Sequence, residues 1–323
     1  MSFIARMPKV NIVNRYRGCL IGAAIGDALG MPTENMTRRQ ILDKFGGRVD
    51  KFYPKPNRRL AAGQWTDDTL LTRATVNSLV ERKALVPSDL AHKFKLAFQQ
   101  EPAGGRGFGT TTKTALSRLL KNLSWKEAGA EGEFTAGNGA AMRIAPIALF
   151  SYGNLEQLRR NVSMVAGITH KNQEAINGGL AVAYTIAQII NNTFEQNRIM
   201  NETVVFLGPS KLSSTLTRVI EILGRPAGDF DNDLAEIGTS GSVLETVGSS
   251  FYIFLRNIES FESALITSAS CGGDTDTIAS IVGAISGAYH GDNAIPNSWI
   301  NGVEAGDDIL NKAEALYRLS HGI

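Results

Sequence analysis

Four aspartates in two short clusters hold the residues best suited to chemistry. Asp67 and Asp68 stand in QWTDDTL, residues 64–70, and Asp274 and Asp276 stand in CGGDTDT, residues 271–277. Threonines flank each pair: Thr66 and Thr69 in the first, Thr275 and Thr277 in the second. Each cluster precedes an apolar-periodic run that predicts a helix. Aspartate or threonine at a helix start is, in the plainest reading, an N-cap. Two carboxylates crowded at one helix N-terminus also repel each other, and the helix dipole offsets only part of that. A hard divalent cation relieves the repulsion better and takes oxygen ligands of this kind. Four carboxylates with neighbouring hydroxyls make about the ligand set that one or two such ions need for hydrolytic chemistry.

The elements that must position these clusters carry glycine stripes. From Arg15 to Gly30 the helical period is clear, with Gly18, Gly22, Gly26 and Gly30 four residues apart on one face. The helix after the second cluster repeats this with Gly283, Gly287 and Gly291. Glycine inside a helix costs about 1 kcal/mol relative to alanine, so a stripe of it implies another backbone close by. The two helices are therefore expected side by side at the centre of the fold. That buries Asp27, for which the metal cluster is the expected partner.

Other loops enter helices at Glu34, Gly137, His170 and Gly241. Residues 31–64, rich in Pro, Arg and Lys, read as a long surface loop with one short helix, and loops of this length are often functional. Helices are predicted over Thr69–Lys83, Ser88–Gln100 with Ser88 as N-cap, Leu155–Gly167 and Glu174–Asn192. The run EPAGGRGFGTTT reads as a mobile glycine loop at Gly104, Gly105, Gly107 and Gly109. It lacks the spacing and the preceding strand of a dinucleotide site. Gly137, Asn138, Gly139, Ala140 and Ala141 precede an apolar helix, where exposed N–H groups suit an anion; a tight turn feeding a buried helix is the plainer alternative. His170, at a helix junction, is more often a local hydrogen-bonding group than a catalyst. Residues 193–240 read as helical segments joined by turns at Gly208-Pro209 and Gly224-Arg225-Pro226. Val204–Leu207 is the one β-like run, and Ala294–Ile323 reads as a single closing helix. The fold is thus expected to be all-α, about a dozen helices in one domain over 15–323, with residues 1–14 a loose arm.

Composition agrees with a globular chain: 323 residues, 43% hydrophobic, 20% charged and a net charge of +2. Nothing in that balance calls for a nucleic-acid or membrane surface. Cys19 and Cys271 sit in small apolar surroundings and are expected to be buried free thiols, which suits a reducing, cytoplasmic setting. No apolar run is long enough to span a bilayer. Converging helix ends with a metal floor and N–H-rich walls suit hydrolysis or elimination on a phosphorylated or nucleotide substrate. A terpene-synthase-type site fits poorly, because Asp67-Asp68 is followed by Thr69, Leu70 and Leu71 and the third acid of DDxxD is missing.

The ordered set GCLIGAAIGDALG, Glu34, WTDDT, GNGAAMRIAP, ITHKN and GGDTDTIASIVGAISGAYHG resembles the ADP-ribosylglycohydrolase family, from about Arg15 to the C-terminal helix. The resemblance implies an all-α fold around two divalent ions, Mg2+ or Mn2+. Thr66, Asp67, Asp68, Asp274, Asp276 and Thr277 would be the ligands, with Asp67 and Asp276 bridging and Asp27 behind them. Gly137 to Ala141 would hold the diphosphate, with Met142 beside them. His170 would line the ribose site, and Gly107, Phe108, Gly109, Gly241 and Ser242 would contact substrate. Glu34 would be the catalytic acidic residue on the mobile entrance loop near the scissile bond, orienting the attacking water or donating a proton to the leaving oxygen. The implied activity is hydrolysis of the bond between ADP-ribose and an acceptor, by a monomer. The loop GGRGFGTTT lacks the acid that the arginine-directed bacterial branch places there. It is similar to the glycine/aromatic loop of the serine-directed branch, as are DLAHKFKLAFQQEP and LETVGSSFYIFLRN to segments of that branch. An O-linked acceptor, serine or O-acetyl-ADP-ribose, is therefore expected over arginine. One departure is Val247-Gly248-Ser249 where the family often has Val-Pro, a change expected to loosen the nucleotide wall. The family also includes eye-lens crystallins without evident catalysis, but both metal motifs are intact here.

Overall fold

Two glycine-striped helices, Ile12–Gly30 and Thr275–His290, lie antiparallel and in backbone contact at the centre of the molecule. The computed structural model in which they are seen describes residues 7–100, 105–225 and 229–323. The glycine register is regular. A Cβ added at Gly18 would stand 2.2 Å from the carbonyl oxygen of Gly287, at Gly22 2.3 Å from that of Gly283, and at Gly26 1.9 Å from that of Ala279. No side chain fits at such distances, so glycine here is demanded by the neighbouring backbone. From Arg15 onward every residue of the first helix except Arg17 is buried, as is nearly all of the second. That is how a helix apolar all round must sit.

Among the described residues fifteen further α-helices pack around this pair, and there is no β-strand, only isolated bridges. One continuous apolar cluster runs through the molecule. Seventeen helices exceed the expected dozen because several are a single turn or two, such as Trp125–Ala128 and Asn297–Gly302. A hydrophobic period cannot be read over so few residues. The β-like Val204–Leu207 lies instead in the helix Ile199–Leu207, where Phe206 stacks on Tyr184 at 4.5 Å and Val205 faces solvent. The expected closing helix starts only after Pro296 and is broken into Asn297–Gly302 and Gly306–His321, since Ala305 between them takes a positive φ of 58°.

The first helix begins at Ile12, inside the stretch expected to be a loose arm, because Asn11 caps it by accepting from Val13 N–H. Residues 1–6 of that arm, Gly104 of the glycine loop and Pro226 of the predicted turn lie outside the described residues. The helix expected from Ser88 starts at Pro87. Cys19 and Cys271 are free and buried, and burial pushes the Cys271 thiol up to about 12. No helix among the described residues is long and apolar enough to cross a membrane.

Candidate active site

The antiparallel crossing places the C-terminal end of the first glycine helix beside the N-terminal end of the second. A Cβ at Gly30 would stand 2.2 Å from the carbonyl of Thr275. This puts Glu34, four residues past Gly30, next to Asp274 and Asp276, and oxygens of these three carboxylates lie within 4.8 Å of one another. Gly272 and Gly273 make the turn that precedes them at φ of 84° and 79°, with Asp274 N–H donating to the carbonyl of Thr239 at 2.7 Å. A Cβ at Gly273 would fall 2.1 Å from that same carbonyl oxygen. Asp67 and Asp68, in the first turn of the helix Asp67–Arg82, face the same cleft, whose volume is about 890 Å³.

Neither aspartate cluster caps its helix. Thr66 and Asp274 occupy the N-cap positions, yet neither side chain accepts a hydrogen bond from the first turn. The plain N-cap reading therefore fails for both. Thr66 Oγ1 reaches Asp68 Oδ1 at 3.4 Å, while Asp68 Oδ2 is buried with no hydrogen-bonding group.

Asp27 does the capping instead. Its carboxylate accepts from Thr66 N–H at 2.9 Å, Thr69 N–H at 3.0 Å and Thr69 Oγ1–H at 2.6 Å. Asp27 is thus partnered by the N-terminus of the helix that carries Asp67 and Asp68, directly behind the acid cluster. This tether sets the first aspartate pair at a fixed height against the central helices. Asp27→Ala is expected to cost about 3 kcal/mol, because three buried donors lose a charged acceptor. Urea unfolding would show it as a lower midpoint at constant slope.

Glu34 is held from the far side by cations that the sequence reading passed over. Lys55 Nζ lies 2.7 Å from Oε2, and Arg58 contributes Nη1 at 2.7 Å and Nη2 at 2.8 Å. Lys55 is nearly buried and also donates to the carbonyl of Met31 at 2.8 Å. Asn35 N–H donates to Gly273 O, and Gly273 N–H donates back to Met36 O. The entrance segment is thereby tied to the second aspartate motif. The described part of the glycine loop is pinned as well. Arg106 stacks 4.1 Å over Trp65 and pairs with Glu304, and its carbonyl accepts from Asp67 N–H. Gly107, at φ 93°, leaves room for the Arg58 guanidinium, which a Cβ would meet at 2.2 Å.

The opposite wall holds Gly137, Asn138, Gly139, Met142 and His170, with Gly241 at its edge. Asn138 Nδ2 donates to Asp274 Oδ2 and to Thr246 Oγ1, so this wall is bonded to the acid cluster. Four expected contact residues are not brought to the cleft. Phe108 packs into the core edge-on to Phe98, with ring centroids 5.2 Å apart. Ala140 and Ala141 are buried beneath their own turn, and Ser242 sits at the N-cap of the helix Val243–Arg256. The helix expected straight after the GNGAA run is delayed as well: Asn138–Ala140 form a 3-10 turn and the helix starts at Ala145. Gly248 lies away from the cleft, against Ile237 and Thr215, and Ser249 Oγ donates to the carbonyl of Gly238 at 2.5 Å. Ser249 thus ties the helix Val243–Arg256 to Gly238, which lines the cleft.

The electrostatics follow from burial. Desolvation, then the charges of Asp27 and Glu34, push Asp67 up to about 8. Burial first and neighbouring carboxylates second raise Asp68 and Asp276 well above the usual carboxylate range, and burial raises Asp274. Such shifts mark an acid cluster short of positive charge. Arg143 was missed by the sequence reading; it is wholly buried, and desolvation lowers it to about 10.

An all-α fold with clustered acids at facing helix ends and a glycine-turn wall defines a class of hydrolase, and the comparisons say which. Residues 8–322 match the ADP-ribosylglycohydrolase family. The chain belongs to that family and is a glycosidic-bond hydrolase. It is 28% identical to the ADP-ribosylhydrolase ARH3 of Mus musculus, over 95% of this chain and 92% of that one. It is 26% identical to the ADP-ribosylarginine hydrolase Tri1 of Serratia proteamaculans, over 97% of this chain and 82% of that one. A solved structure described as an ADP-ribosylglycohydrolase-related protein complex superposes with a TM-score of 0.77 at 26% identity, covering 96% of this chain and 99% of that chain.

Proposed function

We propose that this protein releases ADP-ribose from an O-linked acceptor, a serine side chain or an O-acetyl group, with the help of two divalent ions, Mg2+ or Mn2+. The observation that carries the reading is the juxtaposition of Glu34, Asp274 and Asp276 at the floor of a cleft that Asp67 and Asp68 also face. The donor set fits hard cations. It consists of carboxylate and hydroxyl oxygens, one of which, Asp68 Oδ2, is buried and unpartnered. Thr66, Asp67, Asp68, Asp274, Asp276 and Thr277 would hold the ions. Bound there, the ions would supply Lewis acidity and a fixed seat for ribose hydroxyls.

The chain's own residues do the rest. Gly137, Asn138 and Gly139 accommodate the diphosphate, because their turn leaves no side chain but Asn138 in the way. Lys55 and Arg58 hold the Glu34 carboxylate against the acid cluster, where it accepts a hydrogen bond from water and aims the oxygen at the anomeric carbon. The water oxygen bonds to that carbon, and the bond from carbon to acceptor oxygen breaks through an oxocarbenium-like state. One water proton ends on the acceptor oxygen. The absence of an acid from the 105–112 loop supports an oxygen acceptor, since a guanidinium leaving group would call for one there.

The test is release of free ADP-ribose from two peptides, one modified on serine and one on arginine, with Mg2+ and with a chelator. Chelator-sensitive release from the serine peptide, absent in Glu34→Gln, is the expected result. Release from arginine alone would overturn the acceptor assignment. No release from either peptide or from O-acetyl-ADP-ribose would overturn the activity.

A further inference from the structure

We propose that Arg143 is a positioning residue that works through Thr169 to hold the His170 ring as its Nε2–H tautomer, with that N–H turned into the cleft, while fixing the Gly139 turn from behind. The inference rests on the cleft being the ADP-ribose site. Arg143 is wholly buried and stacks 5.0 Å over the Phe94 ring. One terminal nitrogen, Nη1, donates to the Gly139 carbonyl at 2.6 Å, and the other, Nη2, donates to Thr169 Oγ1 at 2.5 Å. Thr169 Oγ1 lies 2.7 Å from His170 Nδ1.

The direction of this chain follows from what each group can do. A guanidinium only donates, so the Thr169 oxygen must accept from it. The Thr169 hydroxyl is fully buried, and its own proton needs an acceptor. Nδ1 of His170 is the ring nitrogen within reach, so it accepts and bears no proton. The ring proton then sits on Nε2. That nitrogen faces the glycine turn: a Cβ at Gly139 would stand 3.1 Å from it and one at Gly137 3.6 Å. Burial, followed by the Arg143 charge, lowers His170 to about 3, so the ring stays neutral. The result is a donor fixed in direction, suited to an oxygen of a ribose or diphosphate. One arginine thus sets two groups of the binding wall, the Gly139 turn and the histidine proton.

The test is direct observation of the imidazole nitrogens in 15N-labelled protein by long-range proton–nitrogen correlation. The chain has four histidines, and His170→Gln identifies the signal. The expected result is a pure Nε2–H pattern that is unchanged between about pH 5 and about pH 8. In Thr169→Val, which keeps the shape and removes the hydroxyl, the pattern becomes a tautomer mixture. KM for ADP-ribose release then rises about tenfold with kcat little altered, the size of one lost hydrogen bond. Thr169→Ser restores both. An Nδ1–H tautomer in the parent protein, or an unchanged Nε2–H pattern in Thr169→Val, would overturn the proposal. The spectrum needs no ligand. A pure Nε2–H pattern in a protein that fails to bind ADP-ribose would sink the functional reading while leaving the relay standing.

Discussion

Asp276→Asn is expected to lower turnover by about a thousandfold and to remove divalent-ion binding, while the fold stays intact. Asp276 stands with Glu34 and Asp274 at the cleft floor, and its pKa is raised by burial and then by the charges of Glu34, Asp274 and Asp68. The metal-free protein must keep these charges apart from water with too few cations nearby. Replacing one by a neutral amide should therefore leave thermal stability in chelator unchanged or higher, a sign opposite to that of ordinary buried-residue damage. The pH dependence follows the same logic. A carboxylate raised on folding, such as Asp67 from 3.8 to about 8, contributes stability that is complete below about pH 4 and lost as the pH climbs to about 8. The chelated parent should thus melt at a lower temperature at pH 8 than at pH 5, and Mn2+ should raise its melting temperature most at the alkaline end. Calorimetric titration with Mn2+ and melting curves at both pH values decide it. Full activity in Asp276→Asn would remove the metal centre from the mechanism.

Gly26→Ala should be among the most damaging single-methyl changes available to the chain. Its Cβ would lie 1.9 Å from the carbonyl oxygen of Ala279, a backbone atom that can yield only if the two central helices part. Overpacking of this kind costs about 3 kcal/mol, far outweighing the gain of up to about 1 kcal/mol in helix propensity. The same change at Gly167, near the end of the helix Leu155–Gly167, meets nothing within 4 Å and should stabilise by the propensity term alone. Denaturant midpoints for the two variants should move in opposite directions. Parting the helices at Gly26 also separates Glu34 from Asp274 and Asp276, so any folded Gly26→Ala protein should bind Mn2+ more weakly than Gly167→Ala does. Equal midpoints would show that the helix contact is softer than the backbone distances indicate.

Much of the architecture was legible because it is written in local periods. Glycines four residues apart announced the helix pair, and Asp/Thr clusters at helix starts announced the cleft floor. The partners of Asp27, Thr66 and Thr69, were not legible, because they are set by how one helix end meets another and not by spacing. Lys55, Arg58 and Arg143 escaped notice for the same reason. Lys55 and Arg58 lie in a stretch where Lys and Arg are common and Arg143 in an otherwise apolar motif, and only tertiary contact turns each toward Glu34 or His170. Phe108 illustrates the reverse error: its motif sits at the cleft, since Gly107 and Gly109 line it, but the ring turns inward to Phe98. The short helices and the Val204–Leu207 run failed for lack of length, since about one turn of chain carries no period.

The glycine register works like a toothed rack. The teeth recur every four residues, and four residues of α-helix advance about 6 Å. The central pair can mesh closely in its native setting or one tooth away, but not between, because the ridges of side chains bar half-steps. A slip of one tooth would carry Glu34 about 6 Å along the axis, further than the 4.8 Å span within which it meets Asp274 and Asp276. The rack thus makes assembly of the site all-or-nothing: a correctly meshed chain has its acids together, and a slipped one has none. Insertions or deletions should accordingly be lethal between Gly18 and Glu34 or between Asp274 and Gly287, and tolerable in the surface turns around Asn192 or Asn154, where no tooth is displaced.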